Sequence, residues 1–450
     1  MTHLGRLGVL VLMAATAGST QASARPGPQT GAGAVTFNRD VLPILQKNCQ
    51  VCHRPGEIAP MSLLTYEDAR PWARAMKTAA VTRRMPPWFA DPAYGRFAHD
   101  RRLTDAEIAT LGAWADGGAV QGDPKDKPAP VAFNDGWNIK PDLIIEMPRG
   151  FAVPATGTVA YKNILVKVNF PEDVWISAAE MRPGDRRVLH HGRVLVRPPG
   201  AEFMREAVPG EAYDTTSLAV VGKESPETLA KFNPGLGPQE FDQLESAKFV
   251  PKGSDLVFNL HYTAIGTAAT DRSRVGLVFA KKPPSLRYVM NNGPAAINLA
   301  IPPKDGNAEI VSEMTTNVEM KLVYVQPHMH LRGKDYELRV VYPTGQTETV
   351  FKAKWDFNWQ MGYDLQEPKT LPKGTRIIGV AHFDNSAVNK FNPDPNATVY
   401  WGDQNWEEMQ NCFIGVLVDP KIDPAGLFSP SGPSLLARGA SGPTLSALKQ

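Results

Sequence analysis

Nine histidines occur in 450 residues, and five of them fall as an adjacent pair, His190 and His191, a single His261, and an H-x-H, His328 and His330, followed much later by Met409. Imidazole tolerates both oxidation states of copper and a soft thioether favours Cu(I), so nitrogen donors with one sulfur suit a copper that cycles between the two. This spacing predicts two copper sites. A further cofactor is written more compactly: Cys49-Gln-Val-Cys52-His53 is the pattern by which two thiols attach haem c covalently while the histidine ligates iron. A zinc half-site would need further Cys or His nearby, and a redox dithiol would not require His53. Met85, in Arg84-Met85-Pro86-Pro87-Trp88, is the expected sixth iron ligand, because a proline-stiffened loop holds a thioether steadily and His/Met ligation raises the potential. Met61 and Met76 compete for that role, and His99 is a spare.

Around the C-x-x-C-H the local patterns are helical. Asn38 can cap a helix through about Lys47, Tyr66 to Arg84 carries an amphipathic repeat, and Thr104-x-x-Glu107 is a capping box for a helix that stops at Gly117-Gly118. The expectation is a small all-α cytochrome c domain over residues 35–122, then a Pro- and Lys-rich linker over 123–140. Beyond it the period becomes strand-like: Asn163 to Phe170, Val174 to Glu180, Val194 to Arg197, Leu256 to Thr263, Val275 to Phe279, Lys321 to Gln326, Tyr336 to Tyr342, Arg376 to Ala381 and Phe413 to Val418. So many brief strands over this length predict two antiparallel all-β sandwiches in tandem, 141–284 and 285–425, with a flexible tail at 426–450.

Those strands constrain the ligands. His328 and His330, two apart, leave one face of a strand and can grip one ion, which Met409 would close. His190 and His191 are adjacent and would face opposite ways on a regular strand. Both reach one metal only at a strand end or a bulge, which Gly192 and the Pro183-Gly184-Asp185 turn permit. His261 ends an apolar strand and is a candidate third ligand.

At the N-terminus, Arg6, the apolar run Leu7 to Ala17 and Ala22-Ser23-Ala24 read as a secretory leader, residues 1–24. A periplasmic or secreted location follows, with no membrane span expected. A formal charge of +2 gives no sign of a nucleic-acid partner. Cys412 is left without a partner, so no disulfide is expected to hold the fold.

Leu189-His190-His191, Asn259-Leu260-His261-Tyr262-Thr263, Pro327-His328-Met329-His330-Leu331-Arg332-Gly333-Lys334 and Glu408-Met409 resemble the ligand motifs of the type II, ascorbate-dependent copper monooxygenases, the peptidylglycine- and dopamine-hydroxylating family. Over roughly residues 35–420 the chain is similar to bacterial members fused to an N-terminal cytochrome c, including Trp355-Asp356-Phe357-Asn358-Trp359-Gln360 and Phe383-Asp384-Asn385-Ser386. The resemblance implies jelly-roll-like sandwiches with one copper each. His190, His191 and His261 would hold an electron-transfer copper, and His328, His330 and Met409 an oxygen-binding one. It also implies O₂ and a small organic substrate hydroxylated at C–H, with electrons from a periplasmic donor or an ascorbate-like reductant, here entering through the haem. Amidating relatives hold a peptide carboxylate through positions that in this chain are Gln326, Asn411 and Phe413, which lack the arginine and the phenol, so no peptide amidation is expected.

Other residues carry blander readings. Cys412 reads as a buried thiol, His382 as structural or as a support to the site, and Trp355, Trp359 and Tyr363 as sandwich packing or as the border of a copper cleft. Asn259 shares a strand face with His261. An electron-transfer or copper-handling protein that never inserts oxygen is the competing function. A multicopper oxidase would want a Cys-His bridge, which Cys412 does not supply.

Overall fold

The computed structural model describes residues 33–57, 59–133, 136–214 and 226–430. One mixed sheet of nine strands runs through the body, in the order Leu143–Glu146, Arg274–Phe279, Val174–Arg182, Ser246–Val250, Leu286–Asn291, Asn411–Val418, Met320–His328 and Tyr363–Leu371, with Gln239–Glu240 pairing to Val174–Arg182 off this path. A five-stranded sheet covers its first half, ordered Ala212–Asp214, Lys162–Val166, Asp255–Tyr262, Leu189–Arg197, Thr228–Phe232. Ile164, Val194, Val196 and Phe258 on that sheet pack against Ile176, Met181, Val275 and Leu277. Another five-stranded sheet covers the second half, ordered Thr347–Lys354, Gly333–Val341, Arg376–Phe383, Ala308–Thr316, Phe428–Pro430. There Ile310, Leu338, Val350 and Ile377 meet Leu322, Val325, Ile414 and Val416.

Two independent antiparallel sandwiches are therefore not what forms. Leu286 and Arg287 run parallel to Ser246 and Ala247, so a single sheet crosses the expected boundary at 284/285. Pairing here spares both strands a bare edge. Tyr288, Val323, Tyr324 and Leu417, all from later strands, lie in the core of the first half.

A free-standing all-α cytochrome c domain over 35–122 is likewise not formed. Strand occupies 37% of the described residues against 13% helical, and the helices are short pieces: Leu42–Asn48, Tyr66–Ala69, Ala73–Val81 and Asp105–Asp116. The last has its capping box, with Thr104 accepting from the Glu107 backbone and Glu107 from the Thr104 backbone. The expected helix over 66–84 is broken by a tight turn at Arg70–Trp72, where Pro71 has no N–H to give. From Trp88 to Phe97 the chain leaves the helices altogether. Its aromatic side chains need more apolar surface than they offer, so Ala90 bridges to Ala353, Phe97 bridges to Leu365, and Trp88 and Phe97 pack on Tyr363.

Two smaller boundaries shift. Trp137 and Ile139, in the expected linker, are buried, and Asn138 donates to Glu180. Phe428–Pro430, in the expected tail, is an edge strand on Ala308–Thr316. The leader at 1–24 and residues 431–450 lie outside the described residues. Among the described residues no helix is long and apolar enough to cross a membrane.

Candidate functional site

The first histidine cluster is made by a bulge. Across Leu189–Arg197 and Asp255–Tyr262, His191 faces His261 and Leu189 faces Tyr262, so His190 is the extra residue. The bulge releases it from strict alternation. Ring centres of His190 and His191 are 5.0 Å apart, of His191 and His261 4.8 Å, and of His190 and His261 5.9 Å. Gly192 follows the bulge, where a Cβ would stand 2.7 Å from the flexible end of Met181 and 3.1 Å from Leu260. Tyr161 stacks on His261 with centres 4.3 Å apart, and its hydroxyl is hydrogen-bonded to His191 Nε2. Phe357, from the second half, stacks on His190.

His328 closes the strand Met320–His328 and His330 follows just beyond it, their ring centres 5.2 Å apart while Met329 turns fully into the core. His328 Nδ1 meets Gln360 Oε1 at 2.8 Å and His330 Nδ1 meets the Glu407 carbonyl at 3.3 Å. Such contacts fix a ring and leave its other nitrogen for a ligand. The backbone N–H groups of His330 and Arg332 donate to the fully buried Glu408 at 2.8 and 2.6 Å, stapling this loop to the segment that carries Met409. Met409, His328 and His191 line one cavity of about 220 Å³, and the rings of His191 and His328 are 6.1 Å apart, so both clusters open on the same cleft.

Burial keeps these imidazoles neutral. It pushes His261 and His330 down to about 3, His328 to about 4, His190 below its usual value and His191, helped by neighbouring rings, well below. Neutral imidazole is the form that binds a metal. His190 Nε2, His191 Nδ1, His261 Nδ1 and His330 Nε2 are all buried without a hydrogen-bond partner, which a structure tolerates when an ion satisfies them. Among the described residues no group of three or more His, Cys, Asp or Glu is placed to hold a metal ion as it stands. The first cluster is thus a convergence of donors, and the second has two imidazoles beside a thioether. In donor chemistry both fit copper.

Cys49 caps the helix Leu42–Asn48, its N–H donating to the Leu45 carbonyl, and the chain then turns so that His53 N–H donates to the Cys49 carbonyl. His53 Nδ1 is buried and unpartnered. Loss of hydration pushes the Cys49 thiol up to about 12 and raises Cys52, so neither has the thiolate character that a redox dithiol uses. Val51, between the cysteines, lines a cavity of about 370 Å³ together with Trp88, His99, Tyr324 and Asp364. Cys49, Cys52 and His53 do not themselves line that cavity, and Cys52 borders a separate one of about 30 Å³, so the fit to a covalently attached haem rests on the C-x-x-C-H residues and the unpartnered His53 nitrogen. Met85 is half-buried after the Ala73–Val81 helix and does not line that cavity, whereas His99 does.

The remaining residues of interest sort cleanly. Cys412 is fully buried in the second core. His382 lies between Asp335, 2.8 Å from Nδ1, and Glu309, 3.4 Å from Nε2, on the outer five-stranded sheet. Trp355 donates to the His330 carbonyl at 3.0 Å, while Trp359 and Tyr363 pack on the second core. Asn259 lines the cleft as its strand parity requires. Sequence reasoning missed Tyr161, Gln360, Arg193 and Lys231. Arg193 had a signal, two residues after His191 on the same strand face; Lys231 had none.

No family model and no curated protein matches this chain. Partial similarity to solved structures is weak. The structure of infectious bursal disease virus Gx strain aligns over 66% of this chain and 77% of that one, at 8% identity and a TM-score of 0.18. That of PNGF-II in space group C2 aligns over 61% and 66%, at 8% identity and 0.25. The PBSX exported protein XepA aligns over 54% and 86%, at 11% identity and 0.14. Scores this low bear neither on fold nor on the family that the ligand motifs resemble.

Proposed function

We propose that this chain is an exported copper monooxygenase of the ascorbate-dependent type II kind, with haem attached at Cys49 and Cys52 and ligated by His53, hydroxylating a small organic substrate with O₂. One observation carries the reading: two histidine clusters from remote segments adjoin through His191 and His328, whose rings are 6.1 Å apart and which line one cleft with Met409, and four of the clusters' buried ring nitrogens are unpartnered. His190, His191 and His261 would hold one copper, and His328, His330 and Met409 the other.

Copper bound at these residues would supply single-electron transfer and the activation of O₂. The protein's own contribution is positioning. Gln360 and the Glu407 carbonyl fix the His328 and His330 rings, and Glu408 holds the H-x-H loop against the Met409 segment. Trp355 secures the same loop through the His330 carbonyl. Burial keeps every imidazole unprotonated at neutral pH, so no proton must leave before a metal enters. Val51, within the haem motif, and Tyr324, on the strand that ends in His328, line one cavity, which puts the motif against the sheet that carries the second cluster.

The test is O₂ uptake by the copper-loaded, haem-containing protein, reduced through its haem, with products screened for the gain of one oxygen. Met409→Ala is expected to lower substrate-dependent uptake by at least about 100-fold, while copper at the three-histidine cluster is retained. Uptake unchanged in Met409→Ala would remove the role given to the thioether. Reducible haem and copper with no oxygenated product from any substrate would leave an electron carrier.

A further inference from the structure

The cleft contains two basic side chains that face each other, and among the described residues neither has an ion-pair partner. Arg193 lies directly opposite Lys231 across the strands Leu189–Arg197 and Thr228–Phe232, and opposite Asn259 on the other side, itself opposite Asn163. Directly opposed residues leave the same sheet face, and like charges placed so repel. Both side chains line the 220 Å³ cavity, and Lys231 is only 3% exposed.

Elsewhere the fold pairs its buried cations. Lys248, 1% exposed, has Glu227 at 2.9 Å, and Arg182 has Glu57 at 2.7 Å and Glu180 at 2.8 Å. Lys231 instead donates to the neutral Gln326 amide oxygen at 2.5 Å and lies 4.1 Å over the Phe413 ring. Arg193 has only Asn259 Oδ1, at 3.3 and 3.4 Å. Among the described residues neither is within ion-pair distance of a carboxylate. Asp403 also lines the cavity, but it is exposed and forms no such pair.

Keeping two buried basic groups charged without a counter-ion is costly, and burial pushes Lys231 well down toward its neutral form unless a ligand supplies the negative charge. We infer that Arg193 and Lys231 form the seat for the carboxylate of a small organic acid, which is the substrate class of the proposed enzyme. The planar guanidinium fork matches a carboxylate, Asn259 steadies the fork, and Lys231 adds a point charge from the neighbouring strand. The seat lies two residues along the same face from the His191 and His261 pair, a rise of roughly 7 Å. A carboxylate bound there directs the rest of its molecule along the cleft toward the histidines. This assignment rests on the proposed oxygenase function only for calling the acid a substrate.

Calorimetric titration of the full-length protein with benzoate and with neutral benzamide, both metal-free and copper-loaded, tests it. Benzoate is expected to bind at least tenfold more tightly than benzamide in both forms. Arg193→Gln and Lys231→Met should each weaken benzoate at least tenfold and leave benzamide unchanged, with Arg193→Lys in between and melting curves confirming that each variant folds. Equal affinity for the two compounds, no benzoate binding, or benzoate affinity unchanged in both variants overturns the assignment. Tighter binding of sulfate than of benzoate overturns the carboxylate class. Because the metal-free protein is also titrated, benzoate binding in a protein that takes up no copper would sink only the oxygenase reading.

Discussion

Glu57→Ala is expected to destabilise the protein by about 3–5 kcal/mol and to loosen the Cys49–His53 segment from the first sandwich. Glu57 is 3.1 Å from Arg54, 2.7 Å from Arg182 and 3.1 Å from Arg186, and its side chain is 6% exposed. Arg54 in turn donates to the Gln50 and Val51 carbonyls inside the haem motif, at 3.2 and 2.5 Å. One carboxylate therefore ties the motif to Arg182 and Arg186 of the sheet region. Removing it leaves three guanidinium groups facing one another with only Glu180 nearby, which is the costly way to break a buried ionic network. Glu57→Gln, which keeps an acceptor but no charge, should fall between. Thermal melting together with limited proteolysis reads the effect, with new cleavage expected before residue 133 while the β body stays intact. A variant as stable and as protease-resistant as wild type would refute the role.

Glu408→Ala should cost about 2–4 kcal/mol, because two buried backbone N–H groups lose their acceptor at once. Burial pushes this carboxyl up to about 8, against the pull of those N–H groups and of Arg332, so the loss is that of a hydrogen-bonded buried carboxyl and not of a full charge. The consequence at the site is larger than the stability change. His330 and Met409 are brought together by this residue, so copper affinity at the second cluster should fall by about 10–100-fold while the first cluster is spared. Competition with a Cu(I) chelator measures it. Equal loss at both clusters would mean that Glu408 serves the fold alone.

The approach of the histidines to one another was legible because it depends on residue type and short spacing. The need for a bulge at the H-H follows from side-chain alternation, and the bulge falls at His190, whereas His330, expected on the strand with His328, lies just beyond its end. The strands read from β-branched runs overlap observed ones. Several of those missed carry polar residues or proline, such as Tyr363–Leu371 with Pro368 and Thr228–Phe232 with Lys231. Their burial is decided by neighbours distant in sequence, which no local pattern records. The same holds for the fusion of the two halves, which rests on the parallel pairing of Leu286 and Arg287 with Ser246 and Ala247. The helical reading of 35–122 failed because it counted helix signals and gave no weight to the Trp88–Phe97 stretch, whose aromatics seek the second sandwich. Arg193 and Lys231 meet only through strand register, so the charge in the cleft was invisible until that register was known.

Copper bound per chain, measured by elemental analysis after loading and dialysis, is the most direct test of the two-cluster site. Two coppers per chain are expected in the wild type, with one retained when His190 and His191 are both replaced by alanine and one retained when His328 and His330 are. A content below one, or a content that neither double substitution changes, would contradict it.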